Sequence, residues 1–117
     1  FFQRGMFRGW HNDSLWDYVN HAMKPGAFSK NWELRCPPEL EADIFSSYHK
    51  NLWRALNRVK TPTWILYGER SYPMVAKSAM LLSNKHTHFK SQSIAGKHCF
   101  MLEQPKEVAN VIKSFIW

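Results

Sequence analysis

Apolar positions follow two regimes along this chain. Up to Val59 they recur at helical spacing, and beyond it short apolar runs alternate with helical patterns. A loop rich in glycine and aromatics runs from Phe1 to Asn12. Ser14-x-x-Asp17 then has the form of a capping box, whose hydroxyl and carboxylate close orphan amides at a helix start. Leu15, Tyr18, Val19, Ala22 and Met23 share one face of that helix, and Pro25-Gly26 stops it. A connector follows from Ala27 to Cys36. Pro37-Pro38 opens the next element, because proline suits a first helical turn, where its missing N–H costs nothing. Leu40, Ile44, Phe45, Tyr48, Leu52, Trp53, Leu56 and Val59 then trace a single stripe, predicting one long helix that ends at Thr61-Pro62.

Thr63–Tyr67 is short, unbroken and rich in β-branched and aromatic residues, which predicts a fully buried strand of a parallel sheet closed by Gly68. Val75 to Leu82 is helical in pattern. His88 to Ile94 reads as a second, more polar strand, followed by Ala95-Gly96. Gln104-Pro105 starts a last helix whose buried face is predicted to be Val108, Ala109, Val111, Ile112, Phe115 and Ile116. Strand, helix, strand and helix in that order predict a parallel βαβα unit and an α/β fold class.

At 117 residues the chain has the size of one domain, and 44% hydrophobic with 21% charged residues is a globular balance. No apolar run approaches the length of a membrane span, and no charged leader precedes an apolar segment. Cys36 and Cys99 are too isolated for a disulfide scaffold or a cysteine zinc site. A soluble, cytoplasmic protein is the expectation. The net charge of +7 raises the question of nucleic acid, but the excess is spread out. Residues 1–60 carry 9 basic and 6 acidic side chains and residues 61–117 carry 7 and 3, with no basic run or RNA-binding motif. A solvated basic surface accounts for the charge, and no nucleic-acid partner is expected.

The candidate chemistry lies at Ile94-Ala95-Gly96-Lys97-His98-Cys99-Phe100-Met101-Leu102-Glu103-Gln104-Pro105. His98 stands just past the C-terminal end of a predicted strand, the edge where open α/β sheets gather ligand-binding and catalytic residues. Upstream, Lys60-Thr61-Pro62 leads the first strand, and Gly68-Glu69-Arg70 follows it.

These two segments, in this order, resemble the last two core strands of an α/β-hydrolase. In that family the histidine of a G-x-H-x-x-x-x-E-x-P tail is the general base of a nucleophile–His–acid triad, matched here by Gly96, His98, Glu103 and Pro105. Trp32 to Ala42 is similar to the lid that members insert ahead of these strands. The resemblance implies a helical lid over residues 1–59 and the C-terminal part of the hydrolase core over residues 60–117. It implies hydrolysis of an ester or related acyl bond in an apolar small molecule, with His98 catalytic and no cofactor or metal.

The family usually puts its triad acid three residues after the strand glycine, in a G-x-x-D turn, and here that position is Ser71. A serine carries no charge to stabilise an imidazolium. Glu69 is one alternative and an acid from an earlier strand another. No glycine of the chain has a serine two residues on, so a G-x-S-x-G nucleophile elbow is lacking. The nucleophile is then expected in an N-terminal part of the same fold, a partner these residues need in order to fold and act. A hydrolase-fold protein that binds a ligand without turning it over is the alternative, and Ser71 fits that too.

Other groupings carry less. His86-Thr87-His88 could aim two imidazoles at a metal, but no third ligand has suitable spacing. His11, His21 and His49 are scattered and read as surface residues. Trp10, Trp16, Trp32 and Trp53 could line an apolar pocket beneath a lid or simply form core. Cys99 follows His98 directly, and neighbours on an extended stretch point apart, so a Cys–His pair is not expected.

Overall fold

The computed structural model describes residues 3, 5–27, 30–47 and 51–116. In chain order it contains a 3₁₀ turn Gly5–Phe7, α1 (Asn12–Ala22), β1 (Met23–Pro25), β2 (Trp32–Leu34), α2 (Pro38–Ser46) and α3 (Leu52–Leu56). The second half contains β3 (Thr63–Gly68), α4 (Pro73–Lys85), β4 (Phe89–Ile94), α5 (Phe100–Glu103) and α6 (Pro105–Ile116). It is a mixed α/β structure with one small parallel sheet. No described helix is long and apolar enough to cross a membrane.

The parallel unit forms where the pattern predicts it. β3 and β4 pair in parallel from Thr63↔Phe89 to Gly68↔Ile94, joined by the crossover helix α4. Pro73 opens α4 at its first turn, and Lys85 closes it where a cation suits the helix dipole. Because side chains alternate across a strand, Trp64, Leu66, Lys90, Gln92 and Ile94 share one sheet face. α6 lies on that face: Ile94, Phe100 and Val108 form a core with Leu66 and Val111, and Trp64 stacks on Phe115 at 4.0 Å between ring centroids. Lys90 sits over the same indole at 5.0 Å. Phe89, on the opposite face, is buried, as are Ala79 and Leu82 of α4.

β3 is only half-buried, against the full burial expected, and Trp64 stays exposed. Helices lie on both sheet faces, but among the described residues β4 is the one strand that pairs with β3, on one edge. The buried face of α6 is also narrower than its pattern: Val108 is buried and Val111 and Phe115 partly so, while Ala109, Ile112 and Ile116 are exposed.

Three expectations fail in the first half. α1 begins at Asn12, not at a Ser14 capping box. His11 caps it, its Nδ1 accepting from the Asp13 N–H at 3.3 Å, while the His11 N–H donates to the Leu102 carbonyl at 2.8 Å. That tertiary bond fixes residue 11 as the helix entry and leaves Ser14 buried in the first turn. The helix also stops at Ala22, because Met23–Pro25 turns extended and pairs antiparallel with Trp32–Leu34, where a plain connector was expected. Arg35 closes this hairpin through its N–H to Ala22 and its guanidinium to Met23.

The long Leu40–Val59 helix is in fact two helices. Ser47 is extended at φ −89° and ψ 122°, and the Ser46 and Ser47 hydroxyls turn back onto the carbonyls of Asp43 and Ile44 at 3.0 and 2.9 Å. Such bonds compete with helix continuation, and Leu40, Ile44, Phe45, Leu52 and Trp53 of the stripe are all exposed, with only Leu56 and Val59 half-buried among its described residues. Tyr48, on the same stripe, lies outside the described residues.

Candidate active site

The site is built where β3 and β4 end level with each other. Gly68 and Ile94 are register partners, so both strands release their loops at the same height. Backbone bonds then tie the two loops together: Glu69 N–H to Ile94 O at 2.9 Å and Arg70 N–H to Gly96 O at 2.9 Å. Ser71 N–H closes a turn onto Gly68 O at 3.0 Å. Gly68 must be glycine because the second loop crosses directly over it. A Cβ there would meet the Lys97 carbonyl oxygen at 1.9 Å. Gly96 is required for a different reason, its φ of +142° together with a Cβ position only 2.7 Å from that of Phe100.

The histidine loop is held from below by its own helix. Glu103 Oε2 accepts the Lys97 N–H at 3.0 Å, and the Gln104 side-chain amide donates to the Ala95 carbonyl. Lys97 reaches the other way, its Nζ donating to Arg8 O at 3.0 Å and tying the N-terminal loop to the site. Of the quoted tail motif, then, Gly96 and Glu103 shape the loop and Pro105 starts α6.

His98 stands exposed on this loop, and its Nδ1 lies 2.8 Å from Ser71 Oγ. The ring of Tyr72 leans against the imidazole at 5.0 Å between centroids. Nε2 makes no hydrogen bond among the described residues. The Glu69 carboxylate, a candidate for the acid, likewise makes no hydrogen bond or ion pair among them and is exposed. The structure therefore brings His98 and Ser71 together and leaves Glu69 aside. An exposed imidazole held at one nitrogen and open at the other can exchange a proton with a group placed before Nε2.

No protein-family model matches the chain, and neither does any curated protein or solved structure.

The remaining candidates do not converge on this site. No group of three or more potential metal ligands exists among the described residues. The rings of His86 and His88 lie tilted against each other and against Phe89. Partial burial, with His88, Lys85 and Lys60 nearby, holds the His86 imidazole below its usual range. His49 lies outside the described residues, His11 caps α1, and His21 sits exposed in its last turn. Trp10 is buried and packs edge-on against Phe7 and Tyr18, whereas Trp16, Trp32 and Trp53 are exposed. A cavity of about 350 Å³ lies between the hairpin and α2, lined by Lys24, Glu33, Leu34, Pro37 and Pro38, none of them part of the His98 site. Cys99 is half-buried and heads α5, and its thiol makes no hydrogen bond among the described residues.

Proposed function

We propose that this chain is the C-terminal portion of an α/β-hydrolase, residues 1–59 forming lid elements and residues 60–117 the end of the core. His98 is the general base for hydrolysis of an ester or related acyl bond in an apolar small molecule. The observation that carries this reading is the 2.8 Å contact between His98 Nδ1 and Ser71 at the C-terminal ends of two parallel strands. Position 71 is where a triad keeps the group that holds its histidine, and Nε2 is left free to face a nucleophile. The exposed Trp16, Trp32, Phe45 and Trp53 supply apolar surface suited to such a substrate.

In the reaction, a hydroxyl nucleophile from the remainder of the fold adds to the carbonyl carbon as its proton passes to Nε2. The imidazolium gives that proton to the leaving oxygen as the carbonyl re-forms. Water then repeats the sequence on the acyl intermediate and releases the acid. Donors for the oxyanion come from the remainder of the fold as well, and no cofactor takes part.

The second reading, a hydrolase-fold protein that binds without turnover, draws on the same Ser71, which lacks the charge of an acid. A fluorophosphonate probe separates the two. In the complete protein it should label one serine outside residues 1–117. Absence of any label would contradict the hydrolase reading, and a label on Ser71 would contradict the placing of the nucleophile outside this chain.

A further inference from the structure

We infer that Ser71 is the positioning residue of this site, its hydroxyl oxygen accepting the Nδ1 proton of His98 and so fixing the tautomer in which Nε2 is the base. The inference rests on the hydrolase reading for its purpose, but the hydrogen bond stands on geometry alone. An imidazole that must take a proton at Nε2 needs its own proton at Nδ1, and that N–H needs an acceptor. Ser71 Oγ, 2.8 Å away, is the one hydrogen-bond partner His98 has among the described residues.

The hydroxyl is delivered there by the fold rather than by its own flexibility. Ser71 is pinned by its N–H to Gly68, and the preceding Arg70 N–H is bonded to Gly96, two residues before the histidine. The two side chains therefore belong to loops that cannot separate without breaking backbone bonds. Ser71 is half-buried, and the ring of the neighbouring Tyr72 leans against the imidazole, 5.0 Å between centroids. A serine oxygen has two lone pairs and can accept the Nδ1 proton while its own O–H turns elsewhere. What it does not offer is negative charge, so it orients the base and contributes little to stabilising the imidazolium. The site is thus predicted to run on a neutral holder where a carboxylate would otherwise stand.

The test uses the complete protein with ¹⁵N-labelled histidine, the His98 resonances being assigned by their loss in His98→Gln. The expected spectrum at pH above the imidazole titration shows Nδ1 protonated and Nε2 unprotonated. Ser71→Ala should mix the tautomers and lower kcat about tenfold, the worth of one neutral hydrogen bond, with KM little changed. Ser71→Thr, which keeps the hydroxyl, should restore both. A parent protein with the proton on Nε2, or a Ser71→Ala variant with unchanged tautomer and kcat, would overturn the assignment. If the complete protein fails to hydrolyse any aryl ester, the hydrolase reading falls, and the spectrum still decides Ser71.

Discussion

A hydroxyl against His98 and a cationic neighbourhood around His86 give two imidazoles of one chain different duties. His98 is exposed and held at one nitrogen, the arrangement the proposed proton exchange requires. His86 lies at the α4–β4 turn, where partial burial and then His88, Lys85 and Lys60 disfavour its charged form. A group whose folded pKa is depressed binds fewer protons folded than unfolded, so stability falls as pH drops through the window just below the unfolded value of about 6.5. The complete protein should accordingly lose more thermal stability between pH 7 and 5.5 than a His86→Asn variant does. Parallel melting curves for the two proteins would refute this. Of the residues at the candidate site, His98 and Gly96 were legible in the sequence because the tail motif fixes their spacing. The contact between Ser71 and His98 was not, since it depends on strand register and on two loops meeting. The sequence marked position 71 as the place of the acid but found an uncharged serine there, and offered Glu69 or an earlier strand instead; the structure brings Ser71, not Glu69, to the ring.

The elements that could be read from the chain are those whose pattern agrees with their packing. β3, α4, β4 and α6 have both, with helices on two faces of a parallel pair, and their predicted positions hold to within a few residues. The long helix from Leu40 failed because the serines at its centre offer the backbone other bonds, and most of the described residues of its stripe stay exposed. The β1–β2 hairpin was illegible because strands of three residues show no alternation and one of them contains Pro25. At this scale the decisive junction is the crossing of the histidine loop over Gly68. Gly68→Ala forces the Lys97 carbonyl away and should pull His98 off Ser71. Backbone clashes of this kind cost on the order of 1–3 kcal/mol. The expected outcome is a protein that remains folded by circular dichroism but has lost the Nδ1-protonated signal of His98. A Gly68→Ala protein with that signal intact would show the crossing to be slack.

The molecule as a whole is open. Its radius of gyration is 17.5 Å, against about 13 Å for a compact domain of this length, and its extents are 53 × 33 × 27 Å. Seven apolar residues are buried among those described, while Trp16, Trp32, Phe45, Leu52 and Trp53 face solvent. Apolar surface on this scale, beside a β3 edge unpaired among the described residues, is surface that the proposed remainder of the fold would cover. β4 is suited to the rim of a sheet, since Lys90, Ser91, Gln92 and Ser93 are all polar, whereas β3 is suited to its interior. A sheet continuing beyond β3 would bring its own strand ends, and any nucleophile on them, to the edge where His98 stands. The central claim is that His98 passes the proton in that assembled site, and kinetics of the complete protein test it most directly. With a short-chain aryl ester, His98→Ala should lower kcat/KM by about a thousandfold or more while the far-ultraviolet spectrum stays unchanged. Turnover within a few-fold of the parent's would remove His98 from the mechanism and the hydrolase reading with it.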